Sequence, residues 1–262
     1  MILHTDDRGS GPTTVVLLHG FPFNRSMWDA QIQALEPVCR VIAPDLRGHG
    51  ASGDPGGPAF SIDDMADDVL ETLEALGVHL PVVVGGLSMG GYVALSIAAR
   101  APHALRGLML LDTKAPADPP EAAATRHELA NTMESTGNLS LVVRTMLPKL
   151  LAPASRESNP DLAPRVEAMI RGTTPRSIAA TARGLASRPD RTADLPHISV
   201  PTLVLVGADD AITPPDTARE MASALPHATL EIIPSAGHLA PMERPEVVNR
   251  AILAFLQTLP PG

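Results

Sequence analysis

The stretch VVVGGLSMGGYVALSIAAR, Val82 to Arg100, places four glycines around one serine, between an apolar run and a helix-compatible run. Two readings compete for it. No formal charge occurs from Ala75 to Ala99, a run long enough to span a bilayer on length alone. The same run holds Pro81 and the glycines Gly77, Gly85, Gly86, Gly90 and Gly91, with Ser88 in the middle. Its first half, PVVV, is β-branched, and its second, YVALSIAA, suits a helix. Strand, turn and helix account for all of these residues, whereas a span accounts only for the missing charge. A tight turn around Ser88 is the expectation, and no membrane partner.

The rest of the composition narrows the class. The 262 residues suffice for one large α/β domain or two small ones, with a substantial core. A hydrophobic fraction of 44% with 19% charged residues is ordinary for a globular protein in water. Net charge is −9 and no Lys/Arg-rich run occurs, so phosphate neutralisation has no basis and nucleic acid is excluded as a partner. Six aromatic residues in the whole chain also argue against base-stacking platforms. Cys39 is the sole cysteine, which excludes an intrachain disulfide and a Cys-rich metal site. The start, MILHTDDRGSG, shows no basic segment followed by an apolar one, so cytoplasmic residence is expected.

Short apolar runs alternate with helix-like segments. TVVLLHG (Thr14–Gly20), RVIAPDL (Arg40–Leu46), Val82–Val84, LRGLMLLD (Leu105–Asp112), TLVLVG (Thr202–Gly207) and TLEIIP (Thr229–Pro234) read as strands. Helices are expected over Ser26–Leu35, over Ser61–Gly77 with Ser61 as N-cap, after Met89, and from about Pro215 and Pro245. Such alternation implies a mostly parallel sheet covered on both faces. Between Lys114 and Leu195 no strand-like run appears, prolines are frequent, and four segments look like short helices. The division expected is therefore a core of 1–113 and 196–262, with 114–195 as a helical cap over the sheet's carboxyl edge, where open α/β sheets bind ligands.

Gly86-Leu87-Ser88-Met89-Gly90 is a G-x-S-x-G between a strand and a helix, the pattern of a nucleophile elbow. The turn is so tight that side chains two residues either side of the serine would collide, hence glycine at both places. Serine needs a base, and in Ser-His-acid enzymes of this architecture the chain order is serine, acid, histidine. Of nine histidines, His238 fits, in a loop after the last strand. Asp209 and Asp210 both follow a late strand. Asp210 is the choice and Asp112, at the end of an earlier strand, is the rival. Backbone N–H groups of Met89 and Phe21 would form the oxyanion hole. No H-E-x-x-H or paired-histidine spacing supports a metal. Gly48-His49-Gly50-Ala51-Ser52-Gly53 satisfies G-x-G-x-x-G, but DPGGPAF follows it in place of a helix.

With these residues in hand, LLHGFPFNRSMW, PDLRGHGAS, GLSMGGYVAL, GADDAITP and AGHLAPMERPE resemble the α/β-hydrolase superfamily, in order and over nearly the whole chain outside the cap. More narrowly they resemble its small, capped, cofactor-free esterase, lactonase and haloperoxidase-like members. The resemblance implies no cofactor and gives Arg47 and His49 a structural role in the loop from Asp45 to Ser52. Its G-x-x-D-x-x-x-P pattern falls on Gly207, Asp210 and Pro214, which favours Asp210, although some members carry the acid where Asp112 stands.

The expected activity is hydrolysis of small to medium carboxylic esters through an acyl-enzyme on Ser88. The same triad would serve a lactonase, a carbon–carbon bond hydrolase or a perhydrolase. A ligand-binding protein without turnover is the reading from a different class. Phe21, Phe23 and Trp28 lie within eight residues in an aromatic-poor chain, so they are candidates for the substrate pocket. Core packing is the alternative for Trp28. From the cap, Met133 and Met146 are expected to face the pocket.

Overall fold

The computed structural model describes residues 1–54 and 56–260. Pro55, Pro261 and Gly262, assigned to the core from sequence, lie outside the described residues. The chain opens with β1 (Thr5–Arg8), β2 (Thr13–Leu18), α1 (Asp29–Leu35), β3 (Cys39–Pro44) and α2 (Ile62–Ala75). It continues through β4 (Val82–Leu87), α3 (Met89–Arg100) and β5 (Leu105–Leu111). Five helices follow: α4 (Pro120–Thr136), α5 (Leu139–Leu150), α6 (Pro153–Ser158), α7 (Leu162–Arg171) and α8 (Pro175–Ala186). The sheet resumes with β6 (Thr202–Gly207), α9 (Pro215–Ala224), β7 (Ala228–Ile233), α10 (Ala240–Glu243) and α11 (Pro245–Gln257).

The seven strands lie in the order β1-β3-β2-β4-β5-β6-β7. Only β1 runs antiparallel, against β3. Every residue of β4 and β6 is buried, which a strand achieves only when both faces of its sheet are covered. Helices α2 and α3 pack together, as do α1 and α11, and supply that cover. Ser61 caps α2 as its sequence suggested, its hydroxyl accepting from the Asp64 N–H at 3.0 Å.

Among the elements that escaped the sequence reading are β1, α6 and the four-residue α10. TDDR carries no apolar alternation because β1 is a half-exposed edge strand held by its backbone ladder and by ion pairs of Asp6 and Asp7 with Arg25 and Arg40. The six-residue α6 is too short to show a periodicity.

The strand order reverses at β2: β3 lies on one side of it and β4 on the other. A crevice must open outside the carboxyl ends of β2 and β4, because the connections leave in opposite directions. His19-Gly20-Phe21 and Ser88 sit at those two ends. The helices between β5 and β6 lie over the same edge. Thr173 donates to the Pro22 carbonyl (2.9 Å), Phe60 N–H to the Ala180 carbonyl (3.0 Å) and His238 N–H to the Leu150 carbonyl (3.0 Å). Each core partner lies in a loop that follows a parallel strand.

The turn after β4 leaves no space for side chains beside it. A Cβ on Gly86 would stand 2.1 Å from the Gly90 carbonyl oxygen, and one on Gly90 would stand 2.1 Å from the Leu18 carbonyl oxygen. Gly90→Ala should therefore cost about 3 kcal/mol or more and lower Tm by on the order of 6–12 °C in a chain of this size. Gly53→Ala, which meets nothing within 4 Å, should leave Tm nearly unchanged. Equal Tm values for the two variants in calorimetry would contradict the packing described.

Candidate active site

Ser88 has φ 52° and ψ −110°, a left-handed backbone rarely occupied by a residue with a side chain. Three hydrogen bonds hold it there. Its N–H donates to the Leu111 carbonyl (3.0 Å), and its carbonyl accepts from Thr113 Oγ1 (2.8 Å) and from the Tyr92 N–H (3.1 Å). Ser88 is also the N-cap of α3, whose first N–H groups carry the positive end of the helix dipole.

The ladder of backbone bonds continues past the ends of the neighbouring strands. Asp112 N–H donates to the Leu205 carbonyl (2.8 Å), Ala208 to Ile233 (2.9 Å) and Asp209 to Ala236 (2.8 Å). Those bonds carry the loops of β5, β6 and β7 along one edge, and so bring Asp210 to His238. The His238 Nδ1–H donates to Asp210 Oδ2 at 2.8 Å, with both side chains buried. A carboxylate only accepts, so Nδ1 carries the proton, and Nε2 is the ring atom left facing away from Asp210. Thr213 Oγ1 donates to Asp210 Oδ2 (2.6 Å), and the N–H groups of Ile212 and Thr213 donate to Oδ1 (2.8 and 3.0 Å). Burial works to raise the Asp210 pKa, but His238 and these donors outweigh it and hold the carboxyl below its ordinary value.

The two other acids take different positions. Asp209 is exposed. Asp112 is fully buried with φ 45°; its Oδ1 accepts the Gly207 N–H (2.8 Å), while Oδ2 has no partner among the described residues. Burial, then the charge of Asp210, push the Asp112 carboxyl well above the usual carboxylate range. Lys114, two residues further on, pairs with Asp118 and not with Asp112.

On the β2 side, His19 is buried and fixed in one tautomer. Its Nε2 accepts the Leu46 N–H (2.9 Å), so Nδ1–H is left to donate to the Gly20 carbonyl (2.9 Å). Burial lowers its pKa, in keeping with a neutral ring. The Gly20 carbonyl also accepts the Phe23 N–H (2.9 Å). Across the planar trans peptide that follows, the Phe21 N–H must point the opposite way from that anchored carbonyl. Behind this loop, Asp45 accepts the N–H groups of Arg25 (2.8 Å) and Ala51 (2.7 Å) and pairs with the Arg25 side chain. Arg47 reaches Asp68 of α2, and His49 is buried beside His19 with its pKa pushed down to about 3 by burial.

A cavity of about 530 Å³ opens between α4 and α5, with Phe21 and Ile212 contributed by the core. Leu129 and Met146 line it. Phe23, Trp28 and Met133 do not. Phe23 and Trp28 are fully buried and Met133 nearly so, all three within the continuous hydrophobic core. Large apolar side chains gain more from full burial than from lining an open cleft, which corrects that expectation.

Glu243 is a residue the sequence reading passed over. Its buried Oε1 accepts the N–H groups of Gly237 (2.8 Å) and Leu239 (3.1 Å), one on each side of His238. Its Oε2 accepts the Ala152 N–H (2.8 Å), just beyond α5. The only signal was the first of two glutamates in AGHLAPMERPE, after seven residues of that stretch without a formal charge.

The chain belongs to the alpha/beta hydrolase family. The family model matches residues 15–251. A thermophilic esterase from Thermogutta terrifontis, solved with malate bound, is 42% identical with a TM-score of 0.93 over 97% of this chain and 93% of its own. The enol-lactonase from Burkholderia xenovorans is 28% identical with a TM-score of 0.90, over 97% and 96% of the two chains. A 3-oxoadipate enol-lactonase from Acinetobacter baylyi is 28% identical over 89% of this chain and 85% of its own. No helix of the described residues is long and apolar enough to cross a membrane.

The acids differ in what their loss should do. Asp210→Asn should reduce kcat by several orders of magnitude, about 10⁴ in the best-studied protease, whereas Asp209→Asn and Asp112→Asn should cost far less. Asp112 also has a pH signature. A carboxyl with a raised folded pKa binds its proton more tightly folded than unfolded, so its contribution is present below about pH 4 and is lost as pH rises toward the folded value. The Tm gain of Asp112→Asn over the parent should therefore grow between pH 4 and pH 8. A constant difference, or Asp112→Asn as the most damaging variant for turnover, would overturn this account. Glu243→Gln puts an amide N–H against backbone N–H donors. It should lower kcat by on the order of 10- to 100-fold with a smaller change in KM, and a change confined to Tm would refute positioning by Glu243.

Proposed function

We propose that the protein is a serine hydrolase of small to medium carboxylic esters, acting through an acyl-enzyme. The observation that carries this reading is the strained Ser88 turn on the same sheet edge as the buried Asp210–His238 pair. In this reading, His238 Nε2 takes the hydroxyl proton as Ser88 Oγ bonds to the ester carbonyl carbon. The resulting oxyanion accepts from the N–H groups of Phe21 and Met89, where one such donor is worth on the order of 10²- to 10³-fold in kcat. Collapse breaks the ester C–O bond, and the leaving alkoxide takes the proton from His238. Water, deprotonated by the same imidazole, attacks the acyl carbonyl and frees the acid and Ser88. Asp210 stays ionised throughout and stabilises the imidazolium.

The helices α4 to α8 act as the cap of this site, and the cavity between α4 and α5 receives the substrate. Similarity to a known esterase supports ester hydrolysis, and the two enol-lactonases favour lactones as a second substrate form. A lactone needs no different residues, because its leaving alkoxide merely stays tethered to the acyl group.

A fluorophosphonate probe should label the parent on Ser88 and leave Ser88→Ala unlabelled, while turnover of para-nitrophenyl esters falls to a trace. Labelling that survives in Ser88→Ala would refute the nucleophile.

A further inference from the structure

Beside the cavity, one carboxylate serves three cations. Asp118, its side chain buried, pairs with Lys114 (3.1 Å), Arg188 (2.9 Å) and Arg126. Burial works to raise its pKa, but Arg126, Arg188 and Lys114 overcome burial and hold the carboxyl at about 2. Three cations thus share one directly paired carboxylate, with Asp190 near Arg188 as the next negative charge. Arg188 is itself buried, stacked over the Tyr92 ring at 4.0 Å, and its Nε has no partner among the described residues.

Arg126 is the member of the cluster that lines the cavity. Asp118 engages only its Nε, and its two terminal nitrogens have no protein partner among the described residues. Arg176 on the surface is likewise bonded through Nε alone, to Asp54, but other arginines are held by more than one nitrogen. Arg40 holds Asp7 with two nitrogens, and Arg183 holds Glu134 with both terminal ones. An arginine anchored by Nε alone keeps the guanidinium edge that matches a planar carboxylate in two parallel hydrogen bonds. Across the cavity, Lys149 on α5 has no ion pair among the described residues. Glu128 is the one acid in the lining. The protein as a whole carries −9 and repels anions, so a local cationic excess at the cavity changes which substrates can enter.

We propose that the cavity selects esters and lactones carrying a second, ionised carboxylate, held by the free edge of Arg126 and drawn in by Lys149. Monoesters of linear dicarboxylic acids are the simplest members of that class. Asp118 is a positioning residue here, since it fixes the plane of Arg126 without touching substrate. This inference rests on the hydrolase reading for turnover, but not for binding.

The test compares monoethyl adipate with ethyl hexanoate, which has the same acyl length and lacks the charge. The parent should prefer the monoester by about 10-fold or more in kcat/KM. Raising NaCl from roughly 20 mM to about 0.5 M should erode that preference, because screening weakens attraction to Lys149 and Arg126. Arg126→Met should cost the monoester at least about 10-fold more than it costs ethyl hexanoate, a ratio that cancels any general loss of folded enzyme. Binding is read separately by titrating monoethyl adipate into Ser88→Ala, with and without Arg126→Met. Hydrolysis of both esters without preference would overturn the subsite and leave the hydrolase reading standing. Tight, Arg126-dependent binding with no hydrolysis of either ester by the parent would do the reverse. Parallel loss of both esters in Arg126→Met would also sink the proposal.

Discussion

Everything at the sheet's carboxyl edge depends on one backbone conformation, φ 52° at Ser88. A residue with a side chain held there costs on the order of 1–3 kcal/mol, and it persists only because its surroundings allow nothing else. Leu111, Thr113 and Tyr92 bond both polar groups of its backbone, and Gly86 and Gly90 let the flanking chain close to contact distance. The same ladder that begins at the Ser88 N–H runs on through Asp112, Ala208 and Asp209. Strained turn and acid–imidazole pair are thus set by one continuous set of hydrogen bonds.

The helices between β5 and β6 are tied into that set. His238 N–H bonds the Leu150 carbonyl, Ala152 bonds Glu243, and Glu243 holds the peptide groups flanking His238. Since α5 lines the cavity and ends at Leu150, the cavity wall and the loop that carries the imidazole form one hydrogen-bonded unit. A change of cavity shape on α5 should be felt in the placement of His238 as well as in substrate fit.

The parallel strands and the elbow were legible in the sequence because they follow from local rules: short apolar runs, a glycine on each side of a serine, a capping serine before α2. The choice between Asp112 and Asp210 needed spacing, and the geometry around His238 favours Asp210 for a physical reason. A carboxyl held below its usual range keeps its charge beside an imidazolium, whereas Asp112 is pushed toward its neutral form. What the sequence hid was long-range. TDDR pairs through its backbone, Phe23 and Trp28 turned inward to the core, and Glu243 acts on peptide N–H groups that have no sequence signature. The Asp118 cluster joins residues from Lys114 to Arg188, so its charge excess emerges only once α4 and α8 have packed against each other.

Mass spectrometry of the protein quenched during steady turnover of an ester tests the central claim most directly. The account predicts an adduct of the acyl group's mass on the peptide containing Ser88, accumulating in the parent and absent in Ser88→Ala. Undiminished turnover with no adduct, or an adduct on any other residue, would contradict it.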